Sequence, residues 1–397
     1  MQVLFYRYNS ICEPDFIDAF KKMGLGVSEM TEEMHRKDIP AEERVRLLLE
    51  RIASVQPLFV FSIDYFPFIS IVCEKVGVIY AALSVDCPVA EIYSTAIRNK
   101  CNRIYLFDKL QYESVANENP EGIGYMPLGA AAERLSALPF PDRYEYPVSF
   151  IGSLYNEKDR YGELKKTGAL KGPSFEHMES LIEEQLKAPG MDVIENGITA
   201  DDIECLKKAD PKFYSSEDSV IDMDRFVAVN NYLGNHLTSL DRINTLNMLA
   251  EKLPEGSVHL FTRSDTKNLD KRIVLHGGVE TLKEMPTVFR KSCINLNLTN
   301  RTIQSGLPQR IWDILGSGAF CLTDRCDAME GLLEDGRDLK TFSSYDELPG
   351  IIMHYLDDVD EREDIAAAGY GTVSGKHTVL LRALEIVKPI LAEKLGG

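Results

Sequence analysis

Short apolar segments that alternate with helical patterns constrain the fold of this chain more than any other feature. In the first third of the sequence, strand-like runs such as VLFYRY, PLFVFSI and VIYAALSV are separated by segments with helical periodicity. Strands joined through helices run in the same direction, which predicts a parallel, doubly wound sheet. A second series of this kind begins at VSFIGSLY and resumes with VHLFT, IVLHG, INLNL and AFCLT. The sequence therefore predicts an α/β protein with two such sheets.

The two series predict two domains, since 397 residues exceed what one core usually supports. We expect residues 1–145 to form the first domain and residues 146–397 the second, with the proline-containing segment 139–147 as the linker. Between about residues 156 and 250 the strand pattern gives way to helices, which predicts a helix-rich insertion in the second domain. The terminal helices, about residues 349–394, are expected to pack back on the first domain. Two domains of this type leave a cleft between them.

Local patterns also predict individual elements. The first helix is expected at about residues 14–23 and is ended by Gly24 and Gly26, and another helix is expected at about residues 90–97.

Charge and cysteine usage narrow the range of partners and compartments. The net charge is −18, from 44 basic and 62 acidic residues, which argues against nucleic acid or an anionic membrane surface as the main partner. The eight cysteines are scattered and form no CxxC, which favours reduced thiols and a cytoplasmic protein. The longest apolar stretch, residues 58–73, is interrupted by Asp64 and Pro67, so we expect no membrane span.

Residues 294–324 hold the most informative functional pattern, a strand, a short helix and a second strand. Arg310 and Asp313 lie on one face of the helix, close to the carboxyl end of the first strand, where open α/β sheets bind ligands. A guanidinium binds phosphate oxygens in pairs, and a carboxylate accepts hydrogen bonds from sugar hydroxyls. The pattern predicts a nucleotide-sugar site. The alternative is an exposed Arg/Asp pair that covers the helix.

Other candidates for donor binding follow strands or sit in glycine turns. After VSFI, backbone N–H groups near Gly152 could face a diphosphate, and the alternative is a plain turn. An arginine after VHLFT is a further phosphate candidate, and a strand asparagine needs a partner that is either structural or a ligand. The predicted donor-binding residues are Gly152, Ser153, Thr262, Arg263, Gly278, Val279, Asn297, Gln309, Arg310 and Asp313.

Asp64 and Asp86 are the candidates for acid/base work, because each follows an apolar strand and would face the cleft. If the reaction inverts the sugar, one of them is expected to be the base, whereas in a retaining reaction a phosphate oxygen of the leaving group can take the proton. Helix capping is the alternative for both. The seven histidines form no HxH or HxxxH pair, and the DxD of Asp222 and Asp224 falls in the insertion, so we expect no metal and no cofactor.

Many short segments, in order, resemble the CgeB-like (spore maturation protein) glycosyltransferases of the GT-B superfamily. The segments are FSIDYFP, YAALSVDCPVAEIYS, RIYLFDK, GYMPLGA, VSFIGSLY, SLDRINTL, VHLFTRS, VLHGGV, MPTVFRKSCINLNLT and, most specific, GLPQRIWDILGSGAFCLTD. The resemblance implies two Rossmann-like domains whose parallel sheets face a central cleft. It further implies that the second domain binds a nucleotide sugar, with main-chain groups near Val279 on the base and Asp313 on the ribose, and that the first presents the acceptor.

The expected function is therefore a metal-independent, hexosyltransferase-type enzyme that moves a sugar from a nucleoside diphosphate sugar, with UDP-sugar favoured, to a protein or glycan acceptor. Arg310 would stabilise the departing diphosphate. Many retaining GT-B enzymes have two glutamates eight positions apart, whereas this chain has Ser305 and Asp313 there. That departure motivates one alternative, a catalytically inactive scaffold that binds a glycan or protein partner. A nucleotide-sugar epimerase or a phosphorylase is the other.

Overall fold

A computed structural model describes residues 1–139, 141–187, 192–214 and 216–396, and it contains two sheets of six parallel strands each. The first sheet comprises β1 (Gln2–Tyr6), β2 (Gly26–Met30), β3 (Phe59–Ile63), β4 (Ile79–Leu83), β5 (Asn102–Leu106) and β6 (Ile123–Tyr125), in the spatial order β2-β1-β3-β4-β5-β6. The second comprises β7 (Tyr146–Ile151), β8 (Val258–Phe261), β9 (Val274–Leu275), β10 (Ser292–Asn297), β11 (Cys321–Asp324) and β12 (Lys340–Phe342), in the order β12-β11-β10-β7-β8-β9. We call the parts of the chain that carry these sheets the amino-terminal half and the carboxyl-terminal half.

Helices connect the strands and cover both faces of each sheet. They are α1 (Glu13–Lys22), α2 (Glu32–His35), α3 (Ala41–Val55), α4 (Pro67–Val76), α5 (Lys109–Val115), α6 (Ala132–Ser136), α7 (Arg160–Lys166), α8 (Pro173–Lys187), α9 (Val193–Gly197), α10 (Ala200–Ala209), α11 (Met223–Phe226), α12 (Asn235–Lys252), α13 (Glu284–Lys291), α14 (Gln309–Gly316), α15 (Leu348–Asp357), α16 (Val359–Lys376) and α17 (Val379–Gly396). A π-helical segment, Val227–Gly234, joins α11 to α12. Covered faces explain why β3 and β4 are buried along their whole length and consist mostly of apolar residues.

Three local predictions were wrong or incomplete. The helix predicted at residues 90–97 is two 3₁₀ turns, Ala90–Tyr93 and Thr95–Arg98, because Ser94 between them has an extended backbone and caps the second turn. Gly26 begins β2 and does not end the first helix. The run IVLHG contributes only the two residues of β9. Within the predicted linker, Phe140 lies outside the described residues.

Packing connects the two halves at several places. Helix α17, at the end of the chain, packs against α1 of the amino-terminal half, where its apolar residues join the same core as Phe16 and Phe20. In the predicted insertion, Phe226 packs edge-on to Tyr93 with ring centroids 5.0 Å apart. The last part of α12 instead packs on the second sheet through Leu246 and Leu249. The division of the chain at residues 145/146 into two domains that fold independently stays a prediction.

None of the helices in the described parts of the chain combines the length and the apolar character that a bilayer span requires.

Candidate active site

A cavity of about 500 Å³ lies between the two sheets, at the carboxyl ends of their strands. We call it the central cavity. This is the edge at which parallel sheets present loops and helix starts to a ligand. The predicted site residues that line it are Asp86, Gly152, Ser153, Asn297, Gln309, Arg310 and Asp313.

Helix α14 brings Gln309, Arg310 and Asp313 to the cavity because its opposite face is apolar and buried in the core. Asp313 is 8 % exposed, and the side-chain amide of Gln309 donates to its Oδ1 at 3.0 Å. Burial raises the pKa of Asp313 to about 6, and the Gln309 hydrogen bond and the charge of Arg310 act in the opposite direction. A carboxyl group in this environment can exchange hydrogen bonds with ligand hydroxyls near neutral pH.

Arg310 borders the cavity from the same helix. Its guanidinium contacts Sδ of Met285 and lies 5.7 Å from the ring centroid of Phe289. Burial lowers the pKa of Arg310, and the nearby carboxylate of Asp313 partly offsets this effect.

Arg242 in α12 is a second arginine on the cavity wall, and it is not among the predicted site residues. Its two terminal nitrogens donate to the carbonyls of Ser153 and Leu298, each at 2.7 Å, and its guanidinium lies 4.8 Å from the ring centroid of Tyr155. Within the described ranges, its Nε has no hydrogen-bond partner, and no carboxylate forms an ion pair with it. Burial lowers the pKa of Arg242. A desolvated cation that forms no ion pair with a carboxylate is suited to an anionic ligand.

A sequence signal for Arg242 does exist. It lies four and seven residues before Leu246 and Leu249, which are fully buried, so it occupies the inward stripe of an amphipathic helix. A charged residue at such a position needs a partner inside the protein.

Asp86 is exposed to the central cavity from the loop after β4. Loss of solvent around the carboxyl group raises the pKa of Asp86, while the positive charge of Lys158, also on the cavity wall, lowers it. The arrangement places a carboxylate with a raised pKa on the same cavity as Arg242 and Arg310.

Asp64 is 7 % exposed and lies beneath the loop that carries Asp86, away from the cavity wall. Its Oδ1 accepts from the backbone N–H groups of Val85 at 2.8 Å and Asp86 at 3.3 Å. The Tyr8 hydroxyl donates to its Oδ2 at 2.5 Å. Burial, followed by the charge of Asp86, raises the pKa of Asp64 to about 6. Asp64 therefore holds the loop in place and has no direct access to a cavity ligand.

The turn after β7 differs from the expected diphosphate cradle. The N–H of Gly152 donates to the carbonyl of Phe261 at 3.1 Å, so it is not free for a phosphate. The hydroxyl of Ser153 accepts from the N–H of Tyr155 at 2.7 Å and donates to Glu157. What this turn contributes to the cavity wall is the Ser153 carbonyl, which holds Arg242.

The predicted residues at the ends of β8 and β9 do not line the central cavity. Arg263 is exposed and its side chain lies against Gly278, where an added Cβ would come within 2.3 Å of the Arg263 Cγ. Thr262 is buried, and its hydroxyl accepts from the N–H of Ser264 at 3.1 Å. Val279 is half-buried against the central core.

A second cavity of about 520 Å³ adjoins the central cavity and shares Asn230, Asn300 and Thr302 with it. Asn230 belongs to the π-helical segment, so the insertion forms part of both walls. Amide side chains of this kind donate and accept hydrogen bonds, as the hydroxyls of a sugar require.

His354, Asp358 and Glu361 are the one group in the described parts of the chain whose ligand atoms lie close enough to hold a metal ion. All three are exposed on α15 and α16, and Asp358 caps α16. The predicted DxD has separate roles, because Asp222 caps α11 and Asp224 pairs with Lys207 at 2.8 Å.

Comparisons with known proteins address the fold and part of the sequence. The sequence model of a family described as glycosyl transferase-like matches residues 242–388, the part of the chain with Arg242, Arg310 and Asp313. A search of curated protein sequences gave no match.

Solved structures match the chain over nearly its whole length at low sequence identity. Anabaena Alr3699/HepE in complex with UDP-glucose has a TM-score of 0.52 and 10 % identity, with 99 % of this chain and 100 % of that chain covered. T4 phage BGT in complex with its UDP-glucose substrate has a TM-score of 0.51 and 9 % identity, with 98 % and 99 % covered. Sucrose-phosphate synthase from Thermosynechococcus elongatus has a TM-score of 0.52 and 9 % identity, with 99 % and 100 % covered. The two parallel sheets and their helices thus form the GT-B fold of glycosyltransferases.

Proposed function

We propose that this protein is a glycosyltransferase that moves a sugar from a nucleoside diphosphate sugar to a hydroxyl or amide acceptor on a protein or glycan. The observation that carries the proposal is the central cavity, on which two arginines, Arg242 and Arg310, and a carboxylate with a raised pKa, Asp86, are presented. The family match over residues 242–388 and the GT-B fold support the same activity.

The two arginines would bind the diphosphate of the donor. Cleavage of the bond between the sugar C1 and the phosphate oxygen leaves the additional negative charge on the nucleoside diphosphate. Guanidinium groups that the fold already holds in place stabilise that charge without reorganisation. Asp313 would accept a hydrogen bond from a ribose hydroxyl. No step requires a metal, because the arginines supply the positive charge.

Asp86 would act on the acceptor. In an inverting reaction its carboxylate takes the proton of the acceptor hydroxyl while the acceptor oxygen forms the new bond to C1. Asp64 supports this role indirectly, through the hydrogen bonds to the loop of Asp86. In a retaining reaction a phosphate oxygen of the leaving group takes the proton instead.

UDP-sugar is our preferred donor, because two of the structures with the same fold were solved with UDP-glucose. The second cavity gives the acceptor a place next to the donor. We propose that the acceptor approaches between the π-helical segment of the insertion and the amino-terminal half. A cytoplasmic location agrees with free cysteines throughout the described residues.

A thermal-shift panel with UDP, GDP, CDP, dTDP and ADP tests the proposal, because a ligand that binds only the native state raises the unfolding midpoint. We expect one diphosphate to raise the midpoint of the wild-type protein and to have little effect on Arg310→Ala. Release of sugar from the matching nucleotide sugar then demonstrates catalysis. Absence of any shift with all five nucleotides would contradict the donor site.

The inactive-scaffold alternative rests on one observation. The Ser305 hydroxyl, in place of a carboxylate, donates to Asp108 at 2.9 Å, so it is engaged in contact between the halves. A scaffold would bind a glycan but release no sugar from any nucleotide sugar. The hydrolysis measurement separates the two functions.

A further inference from the structure

Asp108 follows β5 of the amino-terminal half and is completely buried. Its Oδ2 accepts hydrogen bonds from three consecutive backbone N–H groups of the carboxyl-terminal half. They belong to Gln304 at 3.0 Å, Ser305 at 2.8 Å and Gly306 at 3.0 Å. Successive N–H groups that converge on one oxygen form an anion-binding nest.

The second carboxylate oxygen of Asp108, Oδ1, accepts hydrogen bonds from both halves of the chain. It accepts from the Ser305 hydroxyl at 2.9 Å and from the N–H of Gln111 at 3.0 Å, which caps α5. Among the described residues, no lysine, arginine or histidine forms an ion pair with Asp108. The buried negative charge is therefore balanced by N–H and O–H dipoles, most of them from the other half.

The loop that Asp108 holds leads directly into the donor site. Ile303 before it and Pro308 after it line the central cavity, and α14 with Arg310 and Asp313 begins at Gln309. Gly306 permits the close approach, since an added Cβ would lie 2.6 Å from Cε2 of Phe107.

We propose that Asp108 is a positioning residue that makes the shape of the donor site depend on the association of the two halves. When the halves separate, the hydrogen bonds between the carboxylate and the three N–H groups break. The loop at residues 304–306 then lacks the contacts that fix its backbone. When they associate, Asp108 restores the loop and with it the start of α14. The part of this inference that concerns donor binding rests on the proposed function, whereas the ordering of the loop does not.

Hydrogen exchange on the free protein tests the ordering. In Asp108→Ala we expect a peptide that covers residues 303–307 to exchange roughly tenfold faster or more, because its N–H groups lose their acceptor. Asp108→Asn keeps a good helix cap for α5 and should show a smaller acceleration. Asp222→Ala, which removes a cap at α11, is the matched control and should leave this peptide unchanged. Equal exchange of residues 303–307 in the wild type and in both Asp108 variants would overturn the inference.

Donor kinetics test the consequence for the site. Gly306→Ala keeps the Asp108 carboxylate but forces the loop away from Phe107, so it should also accelerate exchange and raise the donor KM. A saturating concentration of donor favours the ordered loop by mass action, so we expect Asp108→Asn to raise KM several-fold with little change in kcat. A fall in kcat without a change in KM would overturn the positioning role. A wild-type protein that binds no nucleotide would count against the proposed function but not against the exchange result.

Discussion

The side-chain amide of Gln309 donates at 3.0 Å to Oδ1 of Asp313 and also at 3.0 Å to the carbonyl of Gly129 in the amino-terminal half. One amide thus links Asp313, the carboxylate that we propose binds the ribose, to the opposite side of the cleft. This contact and the nest around Asp108 hold both ends of the loop that leads into α14 against the amino-terminal half.

Asp313→Asn should stabilise the protein at neutral pH. Because the folded-state pKa of about 6 lies above the usual value near 3.9, protonation of Asp313 favours folding at low pH. That contribution is complete below about pH 4 and is lost as the pH rises through 6. At pH 7.5 we expect the variant to gain on the order of 2 kcal/mol in the free energy of unfolding, with a much smaller gain at pH 4. Urea unfolding at both pH values measures this, and equal gains would refute the assignment.

Arg242→Lys should weaken nucleotide binding. Lysine retains the charge but loses the planar group that two carbonyls and Tyr155 hold in place. We expect affinity for the nucleoside diphosphate to fall roughly 10- to 100-fold, as for the loss of a charge-assisted hydrogen bond. Isothermal titration measures the loss. Arg272→Lys, which alters a partly buried pair with Asp270 outside the central cavity, is the control and should bind like the wild type.

Asp86→Asn should separate catalysis from binding. The amide cannot take a proton, so in an inverting enzyme we expect turnover to fall by about 10²- to 10⁴-fold while nucleotide affinity is preserved. Initial rates at saturating donor and acceptor measure the effect. Asp222→Asn, which keeps the cap of α11, should have wild-type turnover. Full activity of the Asp86 variant would remove this residue from the mechanism.

Two glycines in α16 provide a matched test of packing beneath the site. An added Cβ at Gly369 would lie 2.1 Å from the carbonyl oxygen of Asp338 and 3.0 Å from Leu315 of α14, whereas at Gly371 it would meet nothing within 4 Å. Gly369→Ala should therefore destabilise the protein by about 1–3 kcal/mol or more through overpacking. Gly371→Ala should be neutral or stabilise it by up to about 1 kcal/mol, because alanine favours the helix. Similar unfolding midpoints for both variants would contradict the packing described here.

The alternation of apolar strands and helices predicted the two parallel sheets, because the strands at the centre of each sheet are buried on both faces and are therefore apolar. It missed β2 and β12, whose sequences GVSEM and KTF have little apolar character. These strands lie at sheet edges, where solvent can replace a neighbour, so their residues need not be apolar.

Residues that line the central cavity were predictable where they lie in one short segment that follows a strand, as Arg310 and Asp313 do in α14. Arg242 was missed because its partners, the carbonyls of Ser153 and Leu298, are 89 and 56 residues away in the chain. Asp108 was missed for the same reason, as its nest lies almost 200 residues later. The periodicity of one sequence does not show which partners such a residue meets so far away in the chain.

The packing of α17 against α1 has a consequence for how the protein folds while it is synthesised. Residues that complete the core around Phe16 and Phe20 lie in α17, so they leave the ribosome after the strands of both sheets. Until then the amino-terminal half has an uncovered apolar surface, although its six strands are already synthesised. The amino-terminal half can therefore complete its core only after α17 has been synthesised, and a chain that stops before α17 would leave the apolar surface around Phe16 and Phe20 uncovered.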